Sequence, residues 1–334
     1  MDAYDLLMRN TAEVVTEEEV EALAANPSGK RAYVGWEPSG ALHLGHMLVT
    51  NKLIDLQEAG MEIVILLADV HAYLNGKGTF EELRSTADRM REQFLAYGLD
   101  AETTEFVLGS EFQLEESYLL DLHQLAVDTS LNRAQRAMAE LQSGETAAVS
   151  HVVYPLMQAL DIEYLDLDLA VGGLDQRKVH MLHREKIPRL EYEARPCLHT
   201  PIIADPGTGV GKMSSSEGID ITMEDDRASI EEKIQSAYCP PTRNPEPTED
   251  GTERENPVLQ LFQYHVFPRV ENVLIERPQQ YGGDVTYESY EALATALEAG
   301  DLHPADAKSA LADALDDIIA PGRARLRDLR ARDA

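Results

Sequence analysis

Residues 37–46 read EPSGALHLGH, which places His43 and His46 three positions apart behind a Pro-Ser-Gly turn. Such a pair can bind a metal, pack in a core, or contact a phosphate. A metal site needs further ligands at workable spacing, and the other histidines form no H-E-x-x-H or similar pattern. Two imidazoles beside this turn are poor core material. Phosphate contact is therefore the favoured interpretation.

The elements around the pair support that interpretation. Residues 31–36 predict a short strand, residues 37–40 a turn, and residues 46–60 an amphipathic helix. At the start of a helix, free N–H groups and the dipole favour an anion. Gly45 leaves room for a nucleotide to approach the backbone, and paired imidazoles can donate hydrogen bonds to a phosphate in a transition state.

The segment MEIVILLADV, residues 61–70, is almost continuously apolar and predicts a strand buried on both faces of a parallel sheet. Strand, helix and strand then make a βαβ unit, whose ligand crevice lies at the carboxyl ends of the strands. Asp69 and His71 end the predicted second strand, so we expect them to face the same crevice.

A second candidate is the segment DPGTGVGKMSSSEG, residues 205–218. It is not a P-loop, since Gly207 and Gly211 are one residue too close and Met213 follows the lysine. Alone, it could be a solvated loop. Together with the histidine pair, it predicts a glycine-hinged loop, residues 207–218, whose Lys212 and hydroxyls close over a triphosphate.

The composition is strongly acidic, with 29 Lys and Arg against 60 Asp and Glu, for a net charge of −31. Taken alone, this charge disfavours a nucleic-acid partner. The carboxylates are spread along the whole chain, however, and in molar salt the Debye length is only about 3 Å. Dispersed acidity thus predicts a halophilic host, in which repulsion from phosphates is largely screened.

The cysteines and the apolar segments limit the class of protein. Cys197 and Cys239 lie far apart and outside any CxxC, which disfavours a disulfide framework or a zinc ribbon. No stretch approaches the roughly 18 apolar residues that span a bilayer, and the N-terminus does not resemble a signal peptide. We expect a cytoplasmic protein with no membrane partner.

Periodicity and capping patterns predict an α/β fold, with a Rossmann-like parallel-sheet catalytic domain followed by a smaller α-helical domain. The boundary is expected near 224, giving domains 1–224 and 225–334, with a polar linker or exposed loop over 239–256. Further helices are predicted for the following ranges: 17–25, 80–97, 118–142, 151–165, 257–267, 287–299 and 304–331.

The motifs EPSGALHLGH and KMSSS resemble the HIGH and KMSKS signatures of class I aminoacyl-tRNA synthetases. The stretches AYVGWEPSG, LLADVHAYLN, VVYPLMQALD, VGGLDQRKVHML and YGGDVT are similar to tyrosyl-tRNA synthetases of the archaeal and eukaryotic type, over roughly residues 1–330. The resemblance implies ATP-dependent formation of tyrosyl-adenylate and transfer of tyrosine to tRNA(Tyr). Ser215 departs from the written KMSKS pattern, which leaves Lys212 as the only cation of the loop.

The resemblance also implies roles for individual residues. Catalysis would depend on His43, His46, Lys212 and Ser215. ATP would be bound by Pro38, Ser39, Gly40, Gly45, Lys212, Met213, Ser214, Ser215 and Ser216. ATP would bring Mg²⁺ with it, and no protein metal site is expected.

The implied tyrosine pocket combines a strand residue with one helix face. Tyr154, Gln158 and Asp161 follow an i, i+4, i+7 pattern, and their apolar flanks indicate that they enter a buried space where polar groups need partners. By resemblance, Tyr33 and Asp161 bond the phenolic hydroxyl of the substrate. Tyr154, Gln158 and Gln176 would hold its ammonium and ring. Asp161 is then a specificity residue and not a general base.

For the RNA, the resemblance makes the helical domain an anticodon reader, with Asp284 accepting hydrogen bonds from the first anticodon base. Arginines on the last predicted helix, Arg323 and Arg330 among them, are further candidates for RNA contact. The segment 110–150 would be the insertion that pairs two subunits of a homodimer.

Three rival functions remain at this point. A tryptophanyl enzyme of the same fold has no use for a hydroxyl-binding Tyr33 and Asp161. A small-molecule adenylyltransferase would not need the C-terminal helical region. A non-catalytic RNA-binding paralogue would not need both signature motifs.

Overall fold

The computed structural model describes residues 1–139, 148–213, 218–248 and 251–333. They form two compact units. Unit 1 contains residues 1–40, 49–91 and 99–201. Unit 2 contains residues 41–48, 92–98 and 202–334. The sequence predicts a domain boundary at 224. In the structure, residues 202–224 instead belong to unit 2, together with the C-terminal part of the chain.

Unit 1 is built on a six-stranded sheet in the order β1-β6-β5-β2-β3-β4. The strands are β1 (Glu13–Val15), β2 (Arg31–Trp36), β3 (Glu62–Leu67), β4 (Thr104–Leu108), β5 (Leu169–Gly173) and β6 (Cys197–Thr200). Strands β2 to β6 pair in parallel, and the short β1 pairs antiparallel with β6 at the edge. The predicted parallel-sheet fold is confirmed.

Strand β3 is buried along its length after Glu62, as expected of a strand in a parallel sheet that helices cover on both faces. The first nine helices are α1 (Ala3–Met8), α2 (Glu17–Ala25), α3 (Leu44–Glu58), α4 (Asp69–Leu74), α5 (Phe80–Tyr97), α6 (Glu116–Asp128), α7 (Leu131–Met138), α8 (Ser150–Tyr164) and α9 (Arg177–Lys186). Helices α3 and α5 contain residues of both units.

The strand order reverses between β2 and β5. From β2 the chain proceeds outward through β3 and β4, whereas β5 pairs with the other side of β2 and leads to β6. A crevice opens at the carboxyl ends of strands at such a switch point. The crevice of unit 1 is therefore expected beside Tyr33, whose register partner on β5 is Ala170.

Unit 2 is mainly helical. Its C-terminal helices are α10 (Arg227–Ser236), α11 (Pro257–Leu261, continued by a π-helical turn over Phe262–Val266), α12 (Tyr290–Ala299) and α13 (Pro304–Asp333). Two small hairpins join β7 (Glu246–Pro247) to β8 (Glu253–Arg254), and β9 (Val273–Ile275) to β10 (Val285–Tyr287). The predicted C-terminal helical region is confirmed.

The structure corrects several predicted elements. The helix predicted over 118–142 is two helices, because Ser130 caps a new helix by accepting the N–H of Arg133; residues 140–147 lie outside the described part. Asp69 and His71 do not end a strand, since β3 stops at Leu67 and both residues belong to α4.

Two more corrections fall in unit 2. The helix predicted from 287 begins only at Tyr290, after the cap Ser289, whose hydroxyl accepts the N–H of Ala292. Residues 285–287 form β10 instead. The segment 239–256, predicted as a linker or loop, contains the β7–β8 hairpin. No helix in the described ranges is long and apolar enough to cross a membrane.

Three buried histidines predict acid sensitivity. Burial lowers the pKa of His265 from 6.5 to about 3 and that of His43 and His183 from 6.5 to about 4. Between pH 6.5 and 4 the unfolded chain therefore binds protons that the folded chain does not, so the free energy of unfolding should fall as the pH is lowered. The expected loss is on the order of 1–3 kcal/mol per ring.

Chemical denaturation in molar salt, where repulsion between surface charges is screened, would measure this at several pH values between 7 and 4. A free energy of unfolding that stays constant or rises over that range would contradict the prediction.

Candidate active site

Asp161 is the most deeply placed charged residue of the predicted pocket in unit 1. It lies on α8 with no exposed surface. Its Oδ1 accepts hydrogen bonds from Gln113 Nε2 at 2.8 Å and from the Tyr118 hydroxyl at 2.7 Å. Its Oδ2 has no hydrogen-bond partner within the described residues, and His71 Nε2 lies 3.7 Å away. Burial raises the pKa of Asp161, against the influence of His71 and the two donors.

Tyr33 presents a second unsatisfied group in the same unit. Its ring is 1% exposed on β2, and its hydroxyl likewise lacks a hydrogen-bond partner in the part of the chain that the structure describes. Burial and the charge of Asp161 raise the pKa of Tyr33 well above 10.0, so the hydroxyl keeps its proton. Because nearly all buried polar groups are paired, two such groups indicate that a ligand supplies the missing partner.

The glycine two residues after Tyr33 makes room for its ring. A Cβ at Gly35 would lie 2.6 Å from the Tyr33 hydroxyl oxygen and 3.7 Å from Leu66 Cδ2. Successive residues of a strand alternate faces, so Tyr33 and Gly35 point to the same side of the sheet. A side chain at Gly35 would therefore displace the Tyr33 ring.

The remaining pocket residues form a second group. Gln158 Nε2 donates to Gln176 Oε1 at 2.9 Å, and Gln158 Oε1 is buried without a partner among the described residues. The Tyr154 ring lies edge-on to the His71 ring, with centroids 4.5 Å apart. Burial and the charge of Glu37 raise the pKa of Tyr154 well above 10.0. Unit 1 thus places the Tyr33 hydroxyl within electrostatic range of Asp161, and it joins Gln158 to Gln176 by a hydrogen bond.

Three contributors to this pocket were missed by sequence reasoning. Gln113 and Tyr118 hold Asp161 in place, and Glu37 is bound by Asn75 Nδ2 at 2.6 Å and by Lys77 Nζ at 2.5 Å. Gln113 follows β4 at the carboxyl edge of the sheet, so the rule that pointed to Asp69 would also have found it. Nothing in the sequence marks Tyr118.

In unit 2, the first histidine of the pair caps a helix. His43 precedes the first residue of α3, and its Nδ1 accepts the N–H of Gly45 at 3.0 Å and that of His46 at 3.4 Å. This is the pattern of an N-cap side chain. Since Nδ1 is an acceptor, the proton of the neutral ring must be on Nε2.

The electrostatics keep this ring neutral. Burial lowers the pKa of His43 to about 4, opposed by Asp220 and reinforced by Lys212. The His46 ring stacks on it with centroids 3.8 Å apart. A Cβ at Gly45 would lie 2.9 Å from His43 Cε1, so the stacked arrangement itself requires glycine there.

Neighbouring segments fix the histidine pair on both sides. The N–H of Leu42 donates to the buried Gln93 Oε1 at 2.7 Å. The N–H of Leu44 donates to the carbonyl of Ile221 at 2.9 Å, and His43 and Thr222 form an isolated antiparallel β-bridge. The segment that follows the KMSSS motif is therefore joined to the histidine motif by backbone hydrogen bonds.

The other predicted ATP-binding residues are placed unevenly. Lys212 is exposed and acts on the pKa of His43, whereas Met213 is 5% exposed and its N–H donates to Ile203 O at 2.9 Å. Ser214, Ser215 and Ser216 lie outside the described residues. In unit 1, Pro38 is buried and Ser39 exposed, while Gly40 has a φ of +125°, which favours glycine.

Asp284 lies in the turn between β9 and β10. It is exposed, and its Oδ1 accepts the N–H of Arg277 at 3.1 Å. Tyr281, three residues earlier, is 66% exposed, and sequence reasoning missed it. An exposed ring beside a carboxylate is the kind of surface on which an unstacked base can stack and be read.

Arginines of α13 are engaged within unit 2. Arg323 donates to Asp316 Oδ1 at 2.7 Å and to the carbonyl of Asp225, and Arg330 donates to Glu224 at 2.9 Å. Each of these two candidates for RNA contact thus already pairs with a carboxylate of unit 2. Throughout the described ranges, no three His, Cys, Asp or Glu side chains cluster in a way that could hold a metal ion.

Comparison with known proteins identifies the family. Residues 28–320 match the family model of class I tRNA synthetases for tryptophan and tyrosine (W and Y). The tyrosine–tRNA ligase of Halobacterium salinarum is 70% identical over 330 residues, covering 99% of each chain. That of Archaeoglobus fulgidus is 51% identical over 322 residues and covers 96% of each chain.

Solved structures agree. The crystal structure of tyrosyl-tRNA synthetase from Archaeoglobus fulgidus in complex with L-tyrosine has a TM-score of 0.88 and 50% identity, over 97% of this chain and 98% of that one. Tryptophanyl-tRNA synthetase from Aeropyrum pernix has a TM-score of 0.70 at 21% identity, over 93% of this chain and 82% of that one, which shows a shared fold alone.

The capping role of His43 generates a prediction. His43→Asn should keep an acceptor for the helix amides, whereas His43→Ala removes it, so the alanine variant should lose about 1 kcal/mol more free energy of unfolding. The same two substitutions at His303 are the matched control for helix capping by a histidine, because His303 Nδ1 accepts the N–H of Ala305 at 3.1 Å at the start of α13. Equal stability of the two His43 variants in chemical denaturation would exclude the capping role.

Proposed function

Because the chain belongs to the class I tRNA synthetases, in their archaeal-type tyrosine–tRNA ligase family, we propose how its side chains divide the work of joining tyrosine to tRNA. The activity consumes ATP. The tyrosine carboxylate attacks the α-phosphate of Mg·ATP, which releases pyrophosphate and gives tyrosyl-adenylate. A 3′-terminal ribose hydroxyl of tRNA(Tyr) then takes the tyrosyl group and AMP leaves.

One observation carries the assignment of the tyrosine pocket: two buried oxygens, Tyr33 Oη and Asp161 Oδ2, lack partners within the described residues. A phenol satisfies both, since its O–H donates to the carboxylate while its oxygen accepts from Tyr33. Gln113 and Tyr118 occupy Oδ1, so the carboxylate is held with Oδ2 left for the substrate.

The other pocket residues suit the amino-acid end of the substrate. Gln158 keeps a buried carbonyl oxygen without a partner in the described structure, and an ammonium can donate to it. Gln176 shares the hydrogen bond with Gln158, and the Tyr154 ring packs edge-on against His71. We assign Tyr154, Gln158 and Gln176 to the ammonium and ring of tyrosine.

Tyr33→Phe tests the hydroxyl assignment. The variant loses the donor to the substrate oxygen, so kcat/KM for tyrosine in pyrophosphate exchange should fall about ten- to hundredfold, while activity with phenylalanine should not fall. Discrimination of about 10⁵ between these substrates is already known for tyrosyl-tRNA synthetases, so it is not inferred from this pocket.

Tyr164→Phe is the matched control, because it also removes a tyrosine hydroxyl from unit 1, one that donates to Asp121 Oδ2 at 2.9 Å. It should leave both substrates unaffected. Parallel assays with tryptophan should give no exchange in any variant. An unchanged preference for tyrosine in Tyr33→Phe would overturn the assignment.

For the phosphate chemistry we assign His43, His46 and Lys212. The neutral His43 has only Nε2–H left to donate, because Nδ1 caps α3. His46 stacks on that ring, and Lys212 adds positive charge close enough to lower the pKa of His43. Donors fixed before the reaction stabilise charge that develops on the α-phosphate and on leaving pyrophosphate. Ser214, Ser215 and Ser216 complete the proposed ATP site, with Pro38, Ser39, Gly40, Gly45 and Met213.

His46→Ala should slow adenylate formation about a hundredfold, as expected when one transition-state donor is removed. Tyrosine binding, measured by calorimetry without ATP, should stay the same. His303→Ala should change neither quantity, since His303 caps α13. Pyrophosphate exchange at the native rate in His46→Ala would refute the phosphate role.

The C-terminal region is proposed to contact the tRNA. We assign the 225–334 region to anticodon binding, with Asp284 accepting from the first anticodon base and the exposed Tyr281 stacking on it. The catalytic domain would be residues 1–224, acting in the cytoplasm at high salt.

We propose a homodimer formed through the 110–150 insertion. Of the ten exposed large hydrophobic side chains of the described residues, six lie in this segment: Leu114, Leu119, Leu120, Val127, Leu131 and Val149. Val127 is 87% exposed, and a concentration of exposed apolar side chains marks an interaction surface. A monomer in sedimentation analysis at micromolar concentration would exclude the dimer.

A further inference from the structure

Asp205 connects the two sides of the segment that carries Lys212. Its side chain is 7% exposed. Asp205 Oδ1 accepts hydrogen bonds from the N–H and from the hydroxyl of Thr208, both at 2.8 Å. Its Oδ2 accepts the N–H of Ile219 at 3.1 Å. One carboxylate therefore holds a residue before Lys212 and a residue after it.

The glycine before Ile219 shows how closely this carboxylate is enclosed. Gly218 has a φ of +80°, and a Cβ built there would lie 1.9 Å from Asp205 Oδ2. The Asp205 carboxylate thus occupies the space that a side chain at Gly218 would need. Gly218 meets two demands at once, the backbone conformation and the contact with Asp205.

Both anchored ends lead to fixed parts of unit 2. On one side, the N–H of Gly209 donates to the carbonyl of Asp205, and its carbonyl accepts the N–H of Glu255, each at 2.8 Å. On the other side, Ile219 is followed two residues later by Ile221, whose carbonyl accepts the N–H of Leu44 in the histidine motif. Asp205 therefore sets the register between the Lys212 segment and that motif.

We propose that Asp205 is a positioning residue for adenylate formation. Its carboxylate joins Thr208 to Ile219 and so fixes where Lys212 stands relative to His43. A carboxylate suits this task because it accepts all three hydrogen bonds, whereas an amide offers only one oxygen. Joining Thr208 to Ile219 in advance removes conformational freedom that ATP binding would otherwise have to remove.

This inference rests on the proposed role of Lys212 in ATP binding. The test therefore has to separate the two. Asp205→Asn keeps the shape of the side chain, but its amide group must face either Thr208 or the N–H of Ile219, where a donor meets a donor. The link between Thr208 and Ile219 should be lost.

In Asp205→Asn, kcat/KM for ATP in tyrosine-dependent pyrophosphate exchange should fall about ten- to hundredfold, because misplacement by about 1 Å can cost a hundredfold. The dissociation constant for tyrosine without ATP should be unchanged. Asp226→Asn is the matched control: Asp226 accepts the N–H of Ser229 at 2.9 Å to cap α10 of the same unit. It should leave the ATP kinetics at the native level. Native ATP kinetics in Asp205→Asn would overturn the proposal.

A double-mutant cycle with Lys212→Ala gives the sharper result. If Asp205 acts by placing Lys212, Asp205→Asn should cost several-fold less in the Lys212→Ala background than in the native one. Equal costs in both backgrounds would overturn the positioning role. Native exchange in Lys212→Ala alone would instead refute the proposed ATP role of that lysine.

Thr208 provides a milder pair of variants should Asp205→Asn not fold. Thr208→Val removes the hydroxyl that donates to Asp205 Oδ1 and should lower kcat/KM for ATP several-fold, while Thr208→Ser keeps the hydroxyl and should retain native kinetics. Identical kinetics of the two Thr208 variants would overturn the proposal.

Discussion

The buried carboxylate of Asp161 is the constraint on which the predicted pocket of unit 1 depends. Asp161 has no exposed surface, and two donors, Gln113 and Tyr118, satisfy only its Oδ1. A buried charge without full pairing is costly, and Asp161 has this cost on α8, within electrostatic range of Tyr33 on β2. The other oxygen and the hydroxyl of Tyr33 have no hydrogen-bond partner within the described residues. The proposal that a substrate phenol binds here depends on this incomplete hydrogen-bond network in unit 1.

The sequence predicts residues whose role follows from a local pattern, but not residues whose role depends on a tertiary contact. The βαβ start, the buried β3 strand and the polar face of α8 are visible as periodicity, and they were predicted correctly. The rule that pointed to Asp69 would also have found Gln113, but Tyr118 could not be predicted, because it meets Asp161 only where α6 packs on α8. The same limit applies to α4. Asp69 and His71 follow an apolar run that predicts a strand, but in the structure they lie in a helix. Asp69 Oδ1 accepts the N–H of Ser110, a tertiary contact that the local sequence pattern does not show.

The histidine motif illustrates a second limit. Its residue types and its position before a helix predicted an anion site with two imidazole donors. In the structure, His43 Nδ1 accepts the hydrogen bonds that cap α3, so the proton of the neutral ring lies on Nε2. The ring therefore has a single N–H left to donate. Gly45 was predicted for the approach of a nucleotide, and the stacked ring of His43 supplies an independent reason for it. Ring orientation and burial decide both points, and neither is encoded in spacing.

The charge of −31 need not weaken these sites in molar salt. Salt screens exposed charges over about 3 Å at 1 M, but it screens buried pairs much less. Asp161 and His43 are buried, so the hydrogen bonds assigned to tyrosine and to the phosphate lie among groups that bulk ions influence little. Contact with tRNA is different, because counterion release loses force as salt rises. Arg323 and Arg330 are already engaged in ion pairs within unit 2, so the proposed base reading by Asp284 and stacking on Tyr281 would depend less on counterion release.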